Sequence, residues 1–502
     1  MRVAHATLQA PHRGAAAPTT AERARALSEY WPLALLIALA AALRFATLDQ
    51  QSLWYDEAVT AVRVLHPSLG STLSAVVHVE NTPPLYYVAE WGWTRVLGTG
   101  VFALRSLSAL AGVATVGVTW AIGRELGSRR VAIVLAALVA SNPLFVWYSQ
   151  EARSYELFVL LASVAFLFFL RARSAPTRGN LVAWAVCSAL ALLTHYFAVF
   201  LIAPEAALLL AGRGLERRVL AAVAAVAATF VTLLPLIHAQ GGRGTGWIAN
   251  WPLGGRLEAV AQYYLLGESG RPLGRSILLL AALPILAALP LASRLRPRER
   301  AGALLCGAVG AFAVLAPLAL ALAGFDYFTP RYLVAAYVPL SAALALLLVA
   351  GETRIGAALA ILVCTGNLIV VAAVDTRPQL QRGDWRGVAD ALRSGPSERS
   401  VVIAVIGALP LQYYQPQLAQ LTSRQTVRVR EIDLVGYPPL RAGVTRPPAA
   451  GFRLVELRAV KGVVVLRFRA PHAVSISARR LLSRRPVLVD SEALASRGAS
   501  IR

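Results

Sequence analysis

Apolar segments close to the thickness of a bilayer core recur from Trp31 to Val374, and this recurrence restricts the fold more than any other feature of the chain. About 20 apolar residues in a helix cross the hydrocarbon with every backbone amide bonded inside the helix, and a chain that repeats such segments has few alternatives. Composition agrees. The 502 residues are 57% hydrophobic and only 15% charged, and the charges fall in short clusters between the apolar runs. The expected fold class is a polytopic α-helical membrane protein.

A formal charge of +23 raises the question of nucleic acid. The arginines sit in the connections between spans, where the inside bias of membrane proteins explains them, so no nucleic-acid partner is expected. The partner they imply is a lipid bilayer. Cys187, Cys306 and Cys364 are scattered through apolar segments and give neither a disulfide framework nor metal-ligand spacing. Residues 1–30, rich in Ala, Pro and Arg, are read as a disordered cytoplasmic N-terminus without a signal-peptide core, and the first apolar segment as a retained anchor.

Placing the Arg-rich connections Arg124–Arg130, Arg171–Arg178, Arg213–Arg218, Arg294–Arg300 and Glu352–Arg354 inside orders the spans. They fall near 31–47, 103–122, 131–148, 154–170, 181–194, 196–212, 217–238, 273–292, 301–323, 332–350 and 354–374, about eleven crossings, with up to thirteen transmembrane helices allowed for. Pro83–Gly98 opens on Pro-Pro, carries Glu90 and Arg95, and reads as an interfacial or re-entrant helix in a first outer loop, 48–102. Three domains result: the N-terminus 1–30, a transmembrane domain 31–374, and an extracytoplasmic α/β domain 375–502. In the last, FRLVELRAV and GVVVLRFRA around Lys461-Gly462 read as a hairpin.

This topology places Asp56-Glu57, Glu80, Arg105, Glu151, Arg153, His195, Asp326 and Arg331 on one outer side. Asp56 and Glu57 follow Trp54-Tyr55 at the mouth of the first span. Ionising two adjacent carboxylates near low dielectric is costly, so they either cap an interfacial helix or form a base with a partner that orients an acceptor or a metal. Glu151 and Arg153 are either a helix-end salt arrangement or a charged pocket for an anionic head group. Arg105 and Arg331 stand singly at outer span ends, suited either to snorkelling or to bidentate contact with a phosphate. His195, at the tip of a helical hairpin, reads as a turn residue more readily than as a ligand. P-loop, GxGxxG, HExxH, paired CxxC and GxSxG motifs are absent.

In order along the chain, LWYDEAVTA, TPPLYY, ALRSLSALAG, NPLFVWYSQEARSYEL, LTHYFA, PRYLVAAYVPL and DWRGVADAL closely resemble the bacterial glycosyltransferase family 39-like membrane proteins of the GT-C fold. Relatives include the protein O-mannosyltransferases and the lipid A aminoarabinose transferases, and the resemblance covers roughly residues 30–400. It implies transfer of mannose or a similar sugar from a polyprenyl-phosphate carrier to a protein, glycolipid or cell-wall glycan acceptor. The implied place is the outer face of a bacterial plasma membrane. By resemblance Asp56 is the base, and Glu57 positions the acceptor or a cation. Glu151 lies near the donor phosphate or its metal, Arg105 and Arg153 are candidates for the phosphate, and Arg331-Tyr332 lies near the carrier lipid. Direct displacement with one base would invert the anomeric centre. Relatives commonly carry His before the Pro-Pro-Leu where this chain has Thr82. The acceptor- or metal-proximal role then falls to Glu80 or His78, beside His195, and a divalent cation (Mg, Mn or Zn) is left open.

A transporter or flippase of a lipid-linked sugar is the alternative, but it would place its charges near the midplane on broken helices, often within an internal repeat. A phosphatase or acyltransferase would need a His-rich or Ser/His constellation that the sequence lacks.

Overall fold

The computed structural model describes residues 20–213, 216–243, 245–393, 398–483, 486, 491–496 and 498–501. Helix α1 (Thr20–Phe45) leads into the loop 46–100. That loop holds α2 (Tyr55–Ala58), continued by a π-helical turn to Val64, then α3 (Leu69–Val79) and α4 (Leu85–Leu97). There follow α5 (Val101–Leu126), α6 (Arg129–Ser141), α7 (Pro143–Ser149), α8 (Tyr155–Ser174), α9 (Arg178–Thr194), α10 (Val199–Arg213) and α11 (Arg217–Gln240). After the short α12 (Gly246–Ala249) come α13 (Leu253–Leu266), α14 (Gly274–Ala288), α15 (Pro297–Leu322), α16 (Tyr337–Val349) and α17 (Arg354–Thr376).

The protein is multi-pass. Among the described residues seven helical segments are long and apolar enough to cross a membrane, or eight when α6 and α7, bent by 57°, count as one. The other three expected spans fall on α1 and on α9 and α10, shorter apolar helices. Leu279, Leu280, Leu283 and Leu286 of α14 point outward, a cost in water that lipid removes. α4 has 13 residues, about 20 Å at 1.5 Å per residue, too short to cross alone.

The α6–α7 bend has a local cause. Pro143 opens α7 at the position where a missing amide costs nothing, and Asn142 caps it, its Oδ1 accepting from Leu144 N at 2.9 Å. The Asn142 amide also donates to the Tyr337 hydroxyl at 2.8 Å, fixing the bend against α16. The bend delivers the chain to residues 150–154 at the site described below.

Close packing of α5 on α6 depends on Gly123, where a Cβ would stand 2.4 Å from Ala132 Cα. Backbone cannot swing aside as a flexible side chain can. Gly123→Ala should therefore destabilise the protein by about 1–3 kcal/mol, read as a lower Tm in detergent.

After α17 the chain forms an α/β domain. It comprises α18 (Trp385–Arg393), β1 (Arg399–Ala404), α19 (Val405–Tyr414), β2 (Leu418–Gln420), β3 (Thr426–Gly436), β4 (Arg453–Val460), β5 (Val463–Ser477), α20 (Ala478–Leu482), β6 (Ser491–Ser496) and β7 (Ser500–Ile501). The strands run β2-β6-β1-β3-β5-β4, with β7 also on β3 and only β1–β3 parallel. β4 and β5 form a hairpin whose turn residues Lys461 and Gly462 both have positive φ, as two-residue turns of this kind require. Trp385, Val388 and Leu392 of α18 pack on one face of the sheet beside Ala408 and Leu411 of α19.

Candidate active site

Asp56 and Glu57 open α2, and because consecutive helical residues point about 100° apart, the two neighbouring carboxylates diverge. Glu57 turns inward and is fully buried. Arg105 grips it with two parallel bonds, Nε to Oε1 and Nη2 to Oε2, both 2.7 Å, and Ala152 N adds a third at 3.0 Å. Burial alone would push this carboxyl up, but Arg105 and then Arg382 hold it below the usual carboxylate range.

This corrects two expectations. The remaining Arg105 donors go to the carbonyls of Leu48, Gln51 and Ser52, so no free donor is left for a phosphate. Glu57 is enclosed and saturated, so it anchors the loop and has no access to an acceptor.

Asp56 turns the other way and stays partly exposed. Its Oδ2 accepts from Arg331 Nη1 at 2.8 Å, and Arg331 Nη2 reaches Glu268 Oε1 at 3.3 Å. The Arg331 guanidinium lies between the rings of Trp54 and Trp247, 5.3 and 5.4 Å from their centroids. Arg331 follows Pro330, which opens the 3-10 segment leading into α16 and aims the side chain at α2.

Arg153 and Glu80 form a further buried pair, at 2.6 and 3.0 Å. Burial opposes the Arg153 charge, but Glu80 outweighs it and holds the guanidinium well above its ordinary range. Neither was expected to partner the other. The pair ties the loop 46–100 to residues 150–154, so Arg153 is not free for a phosphate, nor Glu80 for an acceptor or a metal.

Glu151 is buried beside Arg382, with Oε2 3.3 Å from Nη2 and Oε1 unbonded. Burial pushes its carboxyl up to about 8 against the pull of Arg382, with Glu268, Glu57 and Asp56 adding to the rise. The folded protein therefore holds a proton that the unfolded chain releases, and this contribution to stability is lost as pH rises from 4.5 to about 8. Tm should fall over that window, and Glu151→Gln should flatten the slope.

His195 stacks on Phe158 at 4.9 Å and meets Tyr332 edge-on at 5.3 Å. Its Nδ1 accepts from Phe197 N and its Nε2 is unbonded. Burial, then Arg153, lowers the imidazole to about 3, which keeps it neutral.

His195 and Tyr332, with Asn81, Thr82 and Gln240, form the polar side of a cavity of about 550 Å³. Most of the rest of that cavity is apolar, including Phe197, Phe200, Phe230, Ile237, Pro317 and Leu320. Tyr332, which lines the cavity, follows Arg331 in sequence, whereas Arg331 and Asp56 themselves are not among its lining residues.

Sequence reading missed Glu268, Arg382 and Trp247. Glu268 follows Gly267, whose φ of 74° and close approach to Pro143 mark a tight turn, but a single acid after glycine gives little signal. Arg382 stands two residues before the motif that opens the tail.

No three His, Cys, Asp or Glu side chains converge as a metal site among the described residues. Asp56, Glu57, Glu80 and Glu151 each face a guanidinium instead. This donor set does not fit a resident divalent cation, and no step below passes through one.

Residues 81–238 match the family model of dolichyl-phosphate-mannose-protein mannosyltransferases. Comparison with curated protein sequences gives no match. Among solved structures, ArnT from Cupriavidus metallidurans bound to undecaprenyl phosphate superposes with a TM-score of 0.53 at 14% identity, over 87% of this chain and 97% of that one. The chain has the GT-C fold. Apo ArnT from the same organism gives a TM-score of 0.52 at 14% identity over the same shares. The S. cerevisiae Pmt1-Pmt2 O-mannosyltransferase complex bound to its sugar donor matches at 18% identity over 43% of this chain and 33% of that one, with a TM-score of 0.32. The GT-C assignment accounts for helices α1–α17 and a following extramembrane domain as one architecture.

Proposed function

We propose that this chain is a membrane glycosyltransferase that moves a sugar, mannose or a close relative, from a polyprenyl-phosphate carrier to a hydroxyl acceptor on the outer face, with Asp56 as general base. One observation carries the reading: a partly exposed carboxylate is ion-paired to Arg331, whose neighbour in sequence, Tyr332, lines a large, mostly apolar cavity. A lipid-linked donor needs these features side by side, an apolar channel for the prenyl chain, a cation for the phosphate and a base for the acceptor. The family match over residues 81–238 and the fold shared with ArnT support it.

The Asp56 carboxylate takes the proton of the acceptor hydroxyl as that oxygen bonds to the anomeric carbon. The bond from that carbon to the phosphate oxygen breaks, and polyprenyl phosphate departs as an anion. Arg331 is the cation placed to stabilise it. In the resting arrangement Arg331 also holds Asp56, so one carboxylate oxygen is occupied. A donor phosphate competing for Arg331 would release Asp56, so that the base is armed only once donor is bound. With one base and no protein nucleophile the anomeric centre inverts.

The test supplies membranes carrying the protein with radiolabelled undecaprenyl-phosphate-mannose and acceptors of the three classes, protein, glycolipid and cell-wall glycan. Transfer by the wild type and none by Asp56→Ala, at equal expression, is the expected result. Equal transfer by both would remove Asp56 from the role of base.

Sidedness has its own test. Asp49 and Arg130 are exposed at opposite ends of the membrane domain in the proposed topology. After replacement of the three native cysteines, Cys at 49 should react with an impermeant maleimide in intact cells, and Cys at 130 only after lysis. The reverse pattern would invert the topology.

A further inference from the structure

Residues 377–384 connect α17 to the extramembrane domain, and within them Arg382 is buried in the membrane domain's outer site. Its backbone N–H donates to Gln51 Oε1 at 2.9 Å, and its Nη1 donates to Gln150 O at 3.0 Å. Its guanidinium lies 4.1 Å over the Trp147 ring, 3.3 Å from Glu151 and 3.9 Å from Glu57. One residue thus touches the loop before α2 through its backbone, and the end of α7 and two buried carboxylates through its side chain.

Burying a guanidinium is expensive, and an apolar side chain of similar size would hold a connection against Trp147 as well. The charge is explained by what it faces. Glu151 is surrounded by Asp56, Glu57 and Glu268, and Arg382 is the cation in contact with it.

The domain behind Arg382 grips the same loop. Ser52 Oγ donates to Asp384 Oδ1 at 3.0 Å, and Arg386 pairs with Asp49 at 2.7 Å. Leu53 N donates to the Tyr414 hydroxyl at 3.0 Å, and the Tyr413 hydroxyl donates to Thr99 O at 2.7 Å. Residues 49–53 lead directly into the turn that presents Asp56. A domain held at both the connection and this loop fixes where α2 begins.

We propose that Arg382 is a positioning residue of the active site, and that docking of the C-terminal domain completes the site by wedging Arg382 between Glu57 and Glu151. The proposal deepens the transferase reading and rests on it. Arg382 touches neither donor nor acceptor in this account. It holds Glu151 and the loop carrying Asp56 in the arrangement that aligns the base with the anomeric carbon.

The test uses the full chain in nanodiscs. Arg382→Ala should lower kcat about 100-fold while KM for undecaprenyl-phosphate-mannose moves by no more than about threefold. Added guanidinium should restore part of the rate to Arg382→Ala, and Arg382→Lys should lie between the two. A fold defect would not be repaired by a small cation. A second readout needs no turnover: dicyclohexylcarbodiimide, which attacks protonated buried carboxyls, should label Glu151 several-fold more in Arg382→Ala than in the wild type at about pH 9, where the wild-type carboxyl is mostly ionised, by mass spectrometry of the peptide.

Wild-type kcat in Arg382→Ala, or a loss of rate that guanidinium does not repair, would overturn the proposal. If the wild type transfers no sugar from any polyprenyl-phosphate donor, the transferase reading fails. The labelling then decides the rest, and unchanged Glu151 labelling overturns the role of Arg382.

Discussion

Asp56→Asn is expected to lower kcat by about 10²–10⁴-fold while leaving the protein folded and inserted. The substitution conserves shape and removes only the ability to take a proton. Its structural cost is small because the Asp56–Arg331 pair is partly open to solvent, and Arg331 keeps Glu268 as a partner. The loss in Tm should correspond to about 1 kcal/mol or less. Donor affinity should hold or rise, since Arg331 no longer has to leave a carboxylate to meet the phosphate. Steady-state kinetics together with donor binding separate these effects. A parallel fall in kcat and donor affinity would argue for a binding role instead.

Arg105→Ala is expected to do the opposite kind of damage. It leaves the buried Glu57 carboxylate with Arg382 at 3.9 Å and strips donors from the carbonyls of Leu48, Gln51 and Ser52. Removing one partner of a buried pair costs about 3–5 kcal/mol, a large part of the stability of most proteins. Little monodisperse protein should survive extraction in detergent. The double substitution Arg105→Met with Glu57→Leu should be better tolerated than Arg105→Ala alone, because no uncompensated charge is left behind. Size-exclusion profiles and Tm of the set decide it. A double variant as damaged as the single one would show that the lost carbonyl bonds, and not the stranded charge, carry the penalty.

Read from sequence, the membrane helices were legible because bilayer thickness imposes a length on each apolar helix. That constraint acts locally, so Trp31–Val374 could be divided without tertiary knowledge. The 13-residue α4 was legible for the same reason, through Pro-Pro and its internal charges. Partnership was not legible. Asp56 and Glu57 look equivalent side by side, yet a single helical step sends one to Arg105 and the other to Arg331, 275 positions away. Arg153 and Arg105 read as phosphate ligands because an arginine in an outer loop looks unpaired until its acid is found. Here the acids are Glu80 and Glu57. Arg382 and Glu268 stayed hidden because each is a single charge in a connection, and only the fold brings them to Glu151 and Arg331.

The central claim is sugar transfer from a polyprenyl-phosphate donor by a single base. It is tested most directly by following both products of one reaction, the glycosylated acceptor and the released lipid phosphate, with purified protein and α- or β-configured undecaprenyl-phosphate-mannose. The account predicts equimolar release of undecaprenyl phosphate and an acceptor carrying the inverted anomer from the wild type, and neither product from Asp56→Asn. A product that retains the donor's configuration, or equal turnover by Asp56→Asn, would contradict it.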